Sequence, residues 1–166
     1  MEKFREFSRE NRNIFFEAIK TGDLETVLMF LEAGINPNAK NFCETTPLNM
    51  AVCHSELEII RLLLLSGADP NIGNLWNKTP LFYLKSDNSV IVELLLAAGA
   101  NPNVTNVWEE IPLHSYIYHN YLRVAEMVLL AGANANYKNK SRNTLLIAKE
   151  YGCVKMIQLL LDHGAK

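Results

Sequence analysis

Between residues 41 and 73 the chain reads NFCETTPLNMAVCHSELEIIRLLLLSGADPNIG, and its apolar positions fall in two short groups. Leu48 to Cys53 covers two helical turns, with the small Ala51 allowing close approach of a neighbour. Ile59, Ile60, Leu63 and Leu64 then recur at the spacing of one buried helix face. Local chemistry punctuates both groups. Thr46 is a good N-cap and Pro47 sits at the first helical position, where its missing N–H costs nothing. His54 and Ser55 turn the chain, Gly67 stops the second helix, and Asp69-Pro70-Asn71 leads away from it. The unit is therefore two short antiparallel helices and an extended turn. Such a unit cannot bury its apolar faces alone.

The same pattern recurs along the chain. The helix-ending glycines Gly34, Gly67, Gly99, Gly132 and Gly164 step by 33, 32, 33 and 32 residues. Pro47, Pro80 and Pro112 mark helix starts at 33 and 32 residues. After the glycines come Ile35-Asn36-Pro37-Asn38, Ala68-Asp69-Pro70-Asn71, Ala100-Asn101-Pro102-Asn103 and Ala133-Asn134-Ala135-Asn136. A T-P-L start, an L-L-x-x-G-A-x-P-N end and a period near 33 resemble the ankyrin repeat over residues 13 to 166. The resemblance implies an all-α solenoid of helix-turn-helix units joined by extended, β-hairpin-like fingers. We expect one ankyrin-repeat domain over residues 1–166, with an N-terminal helical cap at 1–12 and repeats near 13–40, 41–73, 74–105, 106–138 and 139–166.

The copies differ. Residues 1–12 alternate charges with Phe4 and Phe7, the polar-faced lead-in that a terminal repeat needs. Repeat 3 loses one residue near Ser86, Asp87 and Asn88. It carries Leu84, and repeat 4 carries Tyr116, where repeat 2 has Ala51. Large residues at a close-packed site must be relieved by a shift of the helices, so altered spacing or curvature is expected across repeats 3 and 4. Repeat 5 has Leu145 for the proline and ends two residues after Gly164. Either the natural chain continues there or that end is lightly capped.

Charge and cysteine usage narrow the class. The net charge is −2, which gives no bulk affinity for nucleic acid or membrane. It is uneven, with 10 Lys/Arg against 16 Asp/Glu in residues 1–130 and 6 against 2 in residues 131–166. The basic end includes Lys138, Lys140, Arg142 and Lys149. Cys43, Cys53 and Cys153 are odd in number and lack metal or disulfide spacing, which fits a reducing compartment, cytoplasm or nucleus. The charged N-terminus is no secretory signal, and no apolar run is long enough to span a bilayer.

Catalytic chemistry is sparse. The chain has no nucleotide loop, H-E-x-x-H motif or G-x-S-x-G elbow. Cys53-His54 are adjacent, with no third group placed to complete a catalytic set. His114 stands in the T-P-L-H position, where the resemblance implies a structural hydrogen bond to neighbouring backbone. Asn38, Asn71, Asn103 and Asn136 occupy hairpin positions where amides bond local backbone. No enzyme, cofactor or metal site is expected.

Binding is the better candidate. The resemblance places recognition on the finger tips, and here they read Phe42-Cys43, Leu75-Trp76 and Val107-Trp108, with the fourth, Lys140-Ser141, polar. Both tryptophans fall at one repeat position in consecutive repeats. An exposed apolar strip marks an interaction site, and Trp is favoured in binding hot spots. The competing reading is that the two rings pack on neighbouring fingers. Lys78 and Glu110 flank the tips, and Tyr118 and His119 extend the strip into the groove of repeat 4. The expected partner is a protein or peptide, with no nucleic acid or membrane and a chain monomeric by itself. Two rivals share the architecture. One is an ankyrin-type kinase inhibitor, disfavoured because its hallmark is a shortened first helix in the second repeat, intact here. The other is the substrate-binding part of a larger ubiquitin-ligase adaptor or pathogen effector.

Overall fold

The computed structural model describes residues 7–140, 142–151 and 153–166. They form short helices joined by turns, and among the described residues the one isolated β-bridge pairs Lys138 with Asn143. The helices are α1 (Arg9–Thr21), α2 (Leu24–Glu32), α3 (Pro47–His54), α4 (Leu57–Leu65), α5 (Ser89–Ala97), α6 (Pro112–Tyr118), α7 (Leu122–Leu130), α8 (Thr144–Glu150) and α9 (Val154–Asp162). A single 3-10 turn, Pro80–Tyr83, stands where the first helix of repeat 3 is expected. The chain divides into two compact units, Met1–Leu84 and Lys85–Lys166.

In the first unit, local chemistry sets the helix ends. Thr46 accepts from the Asn49 N–H at 3.2 Å and Pro47 opens α3, as its sequence predicts. Gly67, past the end of α4, holds φ at 89°, a conformation that glycine adopts without steric cost. Helix α1 packs on α2 and α3, α2 also on α4, and α3 on α4 and the 3-10 turn. The core between them holds Phe15, Ile19, Leu48, Val52, Ile60 and Leu63, all fully buried. Leu64 is only half-buried, so the apolar stripe of α4 is narrower than its sequence shows.

Two features differ from expectation at the ends of this unit. Ser8 caps a helix that starts at Arg9, so Arg9–Arg12 are the first turn of repeat 1's own first helix rather than a separate cap. Phe4, the other cap residue, lies outside the described residues. In repeat 3, the position that Ala51 fills in repeat 2 belongs to Leu84, buried and turned out of helical geometry at φ −60° and ψ 128°. The 3-10 turn before it is four residues long. Leu84 thus fills the alanine position from outside the helix, whereas Tyr116, at the same place in repeat 4, stays within one.

The second unit repeats the scheme with other caps. Helix α5 packs on α7, α6 on α7 and α8, and α9 on α8 and α7. Ile91, Leu95, Leu113, Val124, Val128 and Leu160 form a fully buried core. Tyr116 stays within α6 with its ring buried, and burial drives its phenol far above the ordinary value. The N-terminus of α7 has no capping side chain of its own. Asp87 supplies one from 36 residues upstream, its carboxylate accepting from the N–H groups of Arg123 at 3.1 Å and Val124 at 2.9 Å.

Candidate interaction surface

The tips between helix pairs are tight turns built on one asparagine each. Asn41, Asn74 and Asn106 each accept two backbone N–H groups on Oδ1: Cys43 and Thr45, Trp76 and Lys78, Trp108 and Glu110, at 2.9–3.1 Å. The same asparagines close the turn through their backbones, as Asn41 N–H does to the Thr45 carbonyl at 3.1 Å. The chain then passes through positive φ at Glu44, Asn77 and Glu109. These asparagines recur at 33 and 32 residues, a periodicity as regular as that of the glycines. That period is the sequence signal for the tips, beside the apolar residues that they carry.

In the first unit, Phe42, Cys43, Leu75 and Trp76 are all exposed, Phe42 by 67% and Trp76 by 46%. Arg9 lies over the Phe42 ring at 4.6 Å from its centre. Lys78 is half-buried behind its tip.

In the second unit, Val107 and Trp108 are exposed by 56% and 54%. Lys140 reaches Glu109 at 2.7 Å, which holds the Glu109 carboxyl below and the Lys140 ammonium above their ordinary values. A shallow hollow of about 240 Å³ lies among Val107, Trp108, Glu109, Asn139 and Lys140. Glu110 is half-buried and turned inward, where Asn106 donates to it at 3.0 Å. Tyr118 packs its ring on Tyr151 at 5.0 Å and donates to Glu110 at 3.4 Å. Burial and that carboxylate push the Tyr118 phenol up, so it remains a donor. His119 is exposed and stacks on Tyr121 at 5.3 Å. Tyr151 and Glu109 are thus additions to the sequence-derived set. Ser141 lies outside the described residues.

Other sequence candidates resolve into structure. His114 is fully buried in α6, with Nε2 at 3.4 Å from the Thr144 hydroxyl, a side chain of the next repeat rather than backbone. Asn38, Asn103 and Asn136 do not bond local backbone. Each donates to the helix-ending glycine of the next repeat (Gly67, Gly132, Gly164) and accepts the N–H two residues beyond it. Among the described residues no group of three His, Cys, Asp or Glu is placed to hold a metal ion, and no helix is long and apolar enough to cross a membrane.

Paired short helices, αL glycines and an asparagine at every tip define a helical-repeat protein. The match to known proteins gives the particular family. Residues 15–106 and 81–166 each match the family model described as ankyrin repeats in three copies. The chain belongs to the ankyrin-repeat family. Ankyrin repeat and SOCS box protein 2 of Bos taurus is 43% identical over 53 residues, which is 32% of this chain and 8% of that protein. The chain therefore aligns with less than a tenth of that relative's length. Ankyrin repeats are protein–protein interaction modules, and the all-α helix-pair fold described above is of that kind.

Proposed function

We propose that this chain is a non-enzymatic adaptor or scaffold that binds a protein or peptide through its finger tips and the adjoining groove. The observation that carries the reading is the pairing of exposed apolar residues with rigid turns. Leu75-Trp76 and Val107-Trp108 stand at the same place in consecutive repeats, each on a turn fixed by an asparagine side chain. A preorganised aromatic loses little entropy on binding. We place the protein in the cytoplasm or nucleus, acting as a monomer on one partner.

The test compares binding and folding on the same variants. Partners captured from a cell extract by the wild-type chain are identified, and their affinities are measured for Trp76→Ala and Trp108→Ala. Anchoring predicts a loss of about 2 kcal/mol or more in binding at either site. Each ring is about half covered, so folding should cost about 1 kcal/mol. Loss of stability with undiminished binding would mean that the rings are packing groups.

A second reading makes this chain the binding part of a larger protein. It is favoured by the bovine relative, whose name couples ankyrin repeats to a SOCS box. The mass of the endogenous protein distinguishes the two. The kinase-inhibitor reading draws no support from the helices: α3, in the second repeat, has its full eight residues, and the shortened element is in repeat 3.

A further inference from the structure

A hollow of about 360 Å³ opens in the first unit between one face of α1 and the first finger. Arg9, Arg12 and Phe16 line it from the helix, and Lys40 and Phe42 from the finger. Phe16 is buried and forms an apolar floor, while Phe42 stands exposed beside it. Among the described residues the lining holds three cations and no carboxylate. Among the described residues one outside carboxylate reaches it: Glu44 meets Lys40 at 3.2 Å, and both side chains are exposed. That leaves the two arginines, one turn apart on α1, as the dominant charges. Arg9 lies over the Phe42 ring at 4.6 Å. A guanidinium held over a ring keeps its N–H donors available for a carboxylate, which it can grip with two bonds.

We propose that this hollow binds a carboxylate-bearing side chain from an acidic segment of the partner protein. It is a charged subsite beside the apolar finger tips, and it rests on the proposed function only through Phe42. The first unit is acidic, with 11 Asp/Glu against 8 Lys/Arg in residues 1–84. A local cationic hollow on such a surface selects where an acidic segment can settle, and like charges elsewhere repel it.

Hexaglutamate is the probe, titrated into the full chain with the Arg Nε–H signals followed by NMR. It needs no finger partner, so the result stands whichever way the tryptophan test falls. Arg9 and Arg12 signals should move most, and binding should weaken between about 50 mM and about 300 mM salt. Hexaglutamine and hexalysine should leave the spectrum unchanged. Arg9→Gln with Arg12→Gln should weaken binding about tenfold or more. Lys20→Gln with Arg61→Gln removes the same charge from exposed sites elsewhere in the unit and should change it by less than about twofold. Equal losses in the two double variants would reduce the effect to bulk charge and overturn the proposal. So would absence of hexaglutamate binding, including the case where phosphatidylserine vesicles bind instead. A several-fold gain in affinity on Glu2→Gln with Glu6→Gln would assign the hollow to the chain's own N-terminal segment, against a partner.

Discussion

At the residue scale, His114 shows how a side chain named by its motif acquires a physical role only in place. The Thr144 hydroxyl donates to the Tyr137 carbonyl at 3.0 Å, so toward His114 it can act only as acceptor. That assigns the ring proton to Nε2 and leaves Nδ1 as a buried acceptor without a protein partner. Burial lowers the imidazole pKa to about 4, against a partial counter-effect from Glu110. The folded state thus resists a proton that the unfolded chain takes up near pH 6.5. Stability from this group is complete above pH 6.5 and is lost as pH falls from there toward 4, at about 1.4 kcal/mol per pH unit. Thermal unfolding at pH 7 and pH 5 should show the fall, and His114→Gln should flatten it relative to wild type. A variant with the same pH slope would place the titration elsewhere. The motif made the buried, structural nature of this histidine legible. Its partner was not, because Thr144 lies 30 residues downstream and the pairing exists only once the repeats stack.

Between elements, the same asparagine-rich turns carry two different bonds, and only one was legible. The side-chain oxygens of Asn36, Asp69, Asn101 and Asn134 close local turns, each accepting the N–H two residues on. Turn chemistry alone predicts local bonds for the asparagines two residues later as well. They instead stitch one repeat to the next. Asn103 donates to the Gly132 carbonyl at 2.9 Å and accepts from the Asn134 N–H at 2.8 Å. The carbonyl it satisfies belongs to Gly132, two residues past the end of α7, where the chain has left the helical hydrogen-bond ladder. Asn103→Ala should therefore cost about 1–3 kcal/mol by chemical denaturation, more than an exposed turn residue usually does. Asn103→Asp keeps the acceptor and loses the donor, so it should fall between the two. If alanine costs no more than a few tenths of a kcal/mol, the bridging bonds are not made in solution. The 3-10 turn at Pro80–Tyr83 is the reverse case. Leu84 in place of a small residue and the missing residue just after it, both readable from the register, accompany that turn.

For the whole molecule, the repeat scale decides how far a local defect spreads. In a linear array each repeat rests on its neighbours, and stability is a sum of units and the contacts between them. Here the chain divides at Leu84–Lys85, within repeat 3, just where the first helix is reduced to a 3-10 turn. Each unit has its own buried core: Phe15, Leu48, Ile60 and Leu63 in one, Leu113, Val124, Val128 and Leu160 in the other. The period and the register of these residues were legible from glycines and prolines. The division was not, because repeat 3 keeps its T-P-L start and its glycine, and neither Leu84 nor the missing residue near Asp87 places a boundary there. Leu63→Ala opens a cavity at a site with no exposure and should cost the first unit about 2–5 kcal/mol. Native-state hydrogen exchange reads where that cost falls. Amides of Val52, Ile60 and Leu63 should exchange faster in the variant, while those of Val128 and Leu160 keep wild-type protection. Val128→Ala should give the mirror pattern. If either substitution raises exchange evenly from α1 to α9, the molecule unfolds in one step, and the two cores act as one.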